Sequence, residues 1–186
     1  MKFDRLVCFD LEMCCWDTTD PHRIGEIIEV GLAEADLLTG EVSQRAQYFV
    51  KPERDEVSEF CTKLTGITPR TVERQGRPLD KVLSTMTKKF GGAGKVFAAW
   101  GRDDLVLFDE CRAKEVEQPF HEFLNVATVC QLAFTNGKKK LGQPAAQELL
   151  GVPWQGDRHS AFDDAFNLAN LSLRLFASLR ELGSSS

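Results

Sequence analysis

Apolar positions along the chain switch between two periods. Residues 5–11 (RLVCFDL) form a short apolar run bounded by charge, the pattern of a buried strand. Residues 27–38 (IIEVGLAEADLL) alternate apolar and polar and end at the turn Thr39-Gly40; residues 44–50 (QRAQYFV) read as the return strand, closed by Lys51-Pro52. Together the three predict an antiparallel meander. From there the period lengthens. Thr68-Pro69 has the chemistry of a helix start, an N-cap followed by proline at the first helical position, and Gly76 that of a stop. Leu79, Val82, Leu83, Met86 and Phe90 fall at helical spacing, and the glycine-rich run at 91–94 breaks that helix. Residues 95–100 (KVFAAW) predict another buried strand, 103–115 a helix and 125–129 a further strand. Helices at 144–150 and 161–182 close the pattern, with a flexible tail at 183–186.

No repeat or linker interrupts this order, so residues 1–182 are expected to form one domain, a mixed α/β layer with helices packed on a central sheet. At 186 residues the chain fits a single domain with a substantial core, and its 42% hydrophobic and 27% charged residues are those of a soluble globular protein. No stretch approaches the apolar length of a membrane span, and the start, with Asp4 and Arg5, lacks the n-region, h-region and cleavage site of a secretory signal. No membrane partner is expected, and the cytoplasm is the expected compartment. The six cysteines include no C-x-x-C pair, which argues for reduced thiols packed as small hydrophobes.

Charge narrows the function. A passive nucleic-acid-binding module carries a basic excess to meet phosphates, whereas this chain has a net charge of −5. An acidic protein can still act on nucleic acid if bound cations neutralise carboxylates where the phosphate must sit. Asp10 and Glu12 offer such a pair at the end of the first strand. Residues i and i+2 of a strand share a face, so both carboxylates project together while Leu11 faces the core. Hard divalent ions take this kind of oxygen cage, although Asp-x-Glu at a strand end is also a common solvated pattern.

A second acidic element, Trp100-Gly101-Arg102-Asp103-Asp104, runs from a strand end into a helix. Asp104 is in phase with Leu107, Phe108 and Cys111 and so falls on the stripe facing the body, an unusual place for an acid. Asp103 lies off that stripe and suits an N-terminal, dipole-facing role. A third element, His159-Ser160-Ala161-Phe162-Asp163-Asp164, opens the last helix. Ser160 and Asp163 resemble a capping box, with His159 just outside the helix and Asp164 in its first turn. Taken alone, His159 reads equally as a surface or a core histidine.

Taken in order, Asp-x-Glu on a first strand, an Asp opening a mid-chain helix, and His-x₄-Asp at a last helix resemble the DnaQ-like, or DEDDh, 3′→5′ exonucleases. Residues 61–68 (CTKLTGIT) look like a segment of that family, and 141–171 is similar to its C-terminal region. Met13 to Trp16 and Trp100-Gly101 are most similar to the branch of histone-mRNA and small-RNA exonucleases, which also holds bacterial inhibitors of a sporulation kinase pathway. The resemblance implies a ribonuclease H-like fold, a five-stranded mixed sheet flanked by helices. It implies that Asp10, Glu12, Asp104 and Asp164 hold two divalent cations, Mg²⁺ or Mn²⁺, and that His159 takes the proton of the attacking water. It also implies that Met13 and Leu64 line the nucleotide pocket; Trp100 can stack on a base, and core packing is the alternative for each. The implied partner is single-stranded nucleic acid, RNA ahead of DNA. Two rivals remain at this stage: an exonuclease-like regulatory domain that binds a protein, and an endonuclease of the ribonuclease H type.

Overall fold

The computed structural model describes residues 4–17, 23–92, 94–135, 137 and 139–184. Three strands, β1 (Arg5–Met13), β2 (Ile27–Asp36) and β3 (Glu41–Phe49), pair antiparallel as the meander predicted from sequence. β4 (Val96–Ala99) joins the open side of β1 in parallel, and β5 (Glu122–Asn125) joins β4 in parallel. The sheet therefore runs β3-β2-β1-β4-β5, a mixed five-stranded sheet with β1 at its centre.

Helices cover both faces and one end. On one face, α3 (Leu79–Phe90) and α4 (Asp103–Ala113) bury Leu79, Val82, Met86, Phe90 and Leu107 against Val7, Phe9, Leu11 and Phe97. On the other, α5 (Val126–Thr135), α6 (Gln143–Leu150) and α7 (Ala161–Ser184) pack Cys130, Ala146, Ala165, Leu168 and Leu171 on Leu6, Cys8, Ala33 and Ala98. Small residues face each other in that second layer, which lets the long α7 lie close on the sheet. At the end of β1, α1 (Glu59–Thr65) and α2 (Pro69–Gln75) close a third cluster around Cys14, Ile28, Cys61 and Val72.

Three expectations shift. β2, expected to be half-buried by its alternation, is buried along nearly its whole length because helices lie on both of its faces. The strand expected at 125–129 is the last residue of β5 followed by the first turn of α5. The β-branched Val126, Thr128 and Val129 suggest a strand, but the Asn125 side chain accepts the Thr128 N–H at 3.1 Å and starts a helix there. Helix α1 had no predicted counterpart. Ser58 caps it by accepting the Cys61 N–H at 3.0 Å, and Gly66 ends it in the left-handed conformation with φ 75°. α7 is described to Ser184; the remainder of the tail expected at 183–186 lies outside the described residues. Among the described residues, no helix is long and apolar enough to cross a membrane.

Candidate active site

The pleat of β1 sorts its side chains. Val7, Phe9 and Leu11 enter the α3–α4 core, so Leu6, Cys8, Asp10 and Glu12 face α7. The first turn of α7 brings Asp164 to the same place. One carboxylate oxygen from each of Asp10, Glu12 and Asp164 lies within 4.8 Å of the other two. Just beyond Glu12 the pairing of β1 with β2 shifts, from Glu12 opposite Glu29 to Met13 opposite Ile27. Such an irregularity re-aims the side chains at the end of a ladder.

These acids repel one another in a poorly solvated place. Burial, then the charges of Asp103, Asp164 and Glu12, hold the Asp10 carboxyl well above the usual range. Burial and then the Glu29 and Asp164 charges push Glu12 up to about 8. Asp164 rises to about 6, chiefly by burial, with the His159 N–H partly offsetting it. Asp164 Oδ2 accepts that N–H at 3.2 Å, while its Oδ1 is buried without a hydrogen-bond partner among the described residues. A converging carboxylate set with an unpartnered buried oxygen fits a hard divalent cation.

The start of α7 is held from the sheet. Glu29 on β2, 1% exposed, accepts the N–H groups of Ala161 at 3.2 Å and Phe162 at 3.3 Å, and Gln47 on β3 donates to it at 2.7 Å. Two residues further along β2, Gly31 lies so close to the helix that a Cβ there would fall 1.9 Å from the Ala161 carbonyl oxygen. Arg45 on β3 stacks its guanidinium 3.9 Å from the rings of both Phe162 and Phe166 and binds Asp163 Oδ1 at 2.9 Å. The capping box suggested by Ser160 and Asp163 is thus replaced by other contacts. The Ser160 carbonyl receives the N–H groups of Asp163 and Asp164, while Asp163 turns to Arg45 and to the Asp157 N–H.

Asp104 lies on the buried stripe with Leu107 and Cys111, as its phase predicts, and is 5% exposed. Its carboxylate is engaged by Arg102, with Nε at 2.8 Å and a terminal nitrogen at 2.9 Å. Its neighbour Asp103 carries its charge toward Asp10 and Glu12, and burial followed by the Asp104 charge raises Asp103 to about 7. The first turn of α4 therefore presents Asp103 to the cluster, while Asp104, the acid predicted from sequence to join it, is held by Arg102. Asp103 acts on the cluster through its field; Asp104 is neutralised locally.

His159 is exposed, in the left-handed conformation with φ 61°, in the turn that leads into α7. Met13 is partly buried at the end of β1, and its carbonyl accepts from the Cys61 thiol at 3.5 Å, which ties it to α1. Leu64, on the same helix, is 40% exposed. Trp100 is partly buried against the α7-side core. Sequence reasoning passed over Glu29 and Gly31, and gave Asp103 only a helix-start role. An acid and a glycine in the middle of the apolar run IIEVGLA were the available signals for the first two, since isolated glycine in a strand marks close approach.

Fold and carboxylate cluster together define a nuclease of the ribonuclease H-like class. The family profile for exonucleases of the RNase T type matches residues 7–172, and the chain belongs to that exonuclease family, in its DnaQ-like, DEDDh group. It is 28% identical to ERI1 exoribonuclease 2 of Homo sapiens over 199 residues, covering 93% of this chain and 28% of that protein. It is 31% identical to the Danio rerio protein of the same name, covering 94% of this chain and 35% of that one. Against 3′-5′ exoribonuclease 1 of Mus musculus the identity is 26%, over 93% of this chain and 53% of the other. The chain thus spans about a quarter to a half of the length of these relatives. Among solved structures, the nuclease domain of 3′hExo, a DEDDh family member bound to rAMP, superposes with a TM-score of 0.83 and 25% identity, covering 95% of this chain and 93% of that one.

Proposed function

We propose that this domain is a metal-dependent 3′→5′ exonuclease that shortens single-stranded nucleic acid, RNA in preference to DNA, and releases nucleoside 5′-monophosphates. The observation that carries the proposal is the meeting of Asp10, Glu12 and Asp164, the last with its Oδ1 buried and without a hydrogen-bond partner among the described residues. Asp10, Glu12 and Asp164, with Asp104 as the fourth carboxylate once Arg102 releases it, would hold two divalent ions, Mg²⁺ or Mn²⁺. When bound, such a pair activates water and stabilises the charge of in-line displacement at a phosphodiester. The remaining work falls to the chain's own groups. His159 stands exposed beside Asp164 and takes the proton of the attacking water. Asp10 and Glu12, fixed on the central strand, need no rearrangement to present their oxygens, which is the preorganisation that electrostatic catalysis requires.

Substrate choice rests on the relatives named exoribonuclease and on the nuclease domain solved with rAMP. Met13, Leu64 and Trp100 are the proposed contacts to the terminal nucleotide, with α1 held to the end of β1 through Cys61. An RNA preference requires a group that senses the 2′-hydroxyl, and the backbone around Glu12 and Met13 is the proposed sensor. The test is digestion of 5′-labelled RNA and DNA oligonucleotides of one sequence, in Mg²⁺, in Mn²⁺ and in EDTA. A metal-dependent ladder of single-nucleotide steps, faster on RNA, is expected. Internal cuts would overturn the exonuclease reading in favour of an endonuclease, and no cleavage in either metal would favour a regulatory binding domain. Equal or faster cleavage of DNA would overturn the RNA preference alone.

A further inference from the structure

The acids at the site come from both ends of the sequence, so the site exists only as well as α7 is seated. A helix can rotate or slide on a sheet, and a turn's error at its start would carry Asp164 away from Asp10 and Glu12. What fixes α7 here is unusual: its first two N–H groups are satisfied by a carboxylate on a strand more than a hundred residues earlier. Glu29 takes Ala161 with one oxygen and Phe162 with the other, and Gln47 holds the second oxygen at 2.7 Å. Helix N-terminal donors and the helix dipole favour an anion at that place. Glu29 also stands directly opposite Glu12 across the strands, so the residue that holds the start of α7 sits beside the β1 carboxylates.

We propose that Glu29 is a positioning residue of the active site, setting the placement of α7 so that Asp164 meets the β1 carboxylates. It is buried, with its oxygens turned to two backbone donors of α7 and to Gln47, so it reaches the site through α7 as well as through its charge on Glu12. Gln47 belongs to the same device, since it fixes the Glu29 carboxylate. The inference rests on the reading of Asp10, Glu12 and Asp164 as a cation site.

The experiment compares Glu29→Ala and Glu29→Gln with wild type, and with Glu26→Gln as a control. Glu26 is another buried carboxylate of β2's approach, bonded to the N–H groups of Glu53, Arg54 and Asp55 and to Lys114, away from the acidic cluster. Mn²⁺ affinity is measured by calorimetry on the metal-free proteins, with kcat and KM on single-stranded RNA and the melting temperature alongside. Glu29→Ala should weaken Mn²⁺ binding and lower kcat by about 10–100-fold each, the usual cost of losing a group that orients metal ligands, with KM nearly unchanged. Glu29→Gln keeps an acceptor for the helix and should recover both to within several-fold. Glu26→Gln should lower the melting temperature without moving Mn²⁺ affinity.

A folded Glu29→Ala protein with wild-type Mn²⁺ affinity and kcat would overturn the proposal. So would a Glu29→Gln protein as impaired as the alanine variant, or a Glu26→Gln protein with the same loss of Mn²⁺ binding. If Glu29→Ala fails to fold, Gln47→Ala replaces it: several-fold weaker Mn²⁺ binding is expected, and unchanged binding would overturn the role. Failure of wild type itself to bind Mn²⁺ or cleave RNA would instead overturn the cation-site reading.

Discussion

Withdrawing the metal should make the stability of this domain fall as the pH rises, an inverted dependence for a protein in the mildly acidic to neutral range. Burial and neighbouring charges push Glu12 up to about 8, Asp103 to about 7 and Asp164 to about 6, and hold Asp10 well above its usual range, while unfolded carboxyls titrate near 4. Each binds its proton more tightly in the folded chain than in the unfolded one. The resulting stabilisation is complete below about pH 4 and is lost as the pH climbs through 6, 7 and 8. For Glu12 alone, about 1.4 kcal/mol is lost per pH unit across its window, and water at the mouth of the site screens the total to about 2 kcal/mol. With Asp164 and Asp103 added, about 3 kcal/mol should be lost between pH 5 and 8, or about 6–12 °C of melting temperature for a chain of this length. Glu26 does not mask the effect. Burial alone would raise it, but Lys114 and three backbone N–H groups outweigh burial and lower it to about 2. Its contribution is present above its unfolded value and fades only in strong acid, outside the window. The assay is thermal melting from pH 5 to 8 in EDTA and in excess Mg²⁺. The melting temperature should fall with pH in EDTA, and Mg²⁺ should raise it far more at pH 8 than at pH 5. Asp10→Asn should flatten the EDTA profile. A melting temperature that rises from pH 5 to 8 without metal, or a Mg²⁺ gain no larger at pH 8, would refute the reasoning.

Other outcomes follow from single contacts. Gly31→Ala places a Cβ 1.9 Å from the Ala161 carbonyl oxygen, so the start of α7 must recede by about 1 Å. Stability should drop by about 1–3 kcal/mol and turnover by about 10²-fold, and a stable variant with unchanged kcat would show that α7's seating is immaterial. Asp104→Asn should cost at least about 10²-fold in turnover and Asp103→Asn less, with Arg102→Ala tightening Mn²⁺ binding by releasing Asp104. The reverse order, with Arg102→Ala neutral, would assign the fourth carboxylate to Asp103. His159→Ala should lower turnover by about 10²–10⁴-fold while Mn²⁺ affinity holds, and parallel loss of both would count against its role as base.

Local pattern carried most of the fold. The meander, the α3 stripe and the closing helix were legible because each obeys a single period and ends at a residue that can end it. The errors lie where local chemistry is ambiguous. Val126, Thr128 and Val129 favour a strand by side chain, yet one amide on Asn125 makes their first turn helical. At the site, the i and i+2 spacing of Asp10 and Glu12 was legible from the pleat, and the first-turn place of Asp164 from the helix-start pattern of Ser160 and Asp163. Glu29 was not, because its partners, Ala161 and Phe162, are distant backbone groups that no local pattern announces. Asp103 and Asp104 show a further limit. Helix phase tells which acid is buried, but not that Arg102 engages it.

The cluster joins Asp10 and Glu12, near the start of the sequence, to Asp164, close to its end. On a ribosome those carboxylates are made in that order, and α7 can dock only after nearly the whole domain has left the exit tunnel. Until then the growing chain holds two acids of the set and no seat for the third. A site built this way stays incomplete until the last helix of the domain closes over the sheet.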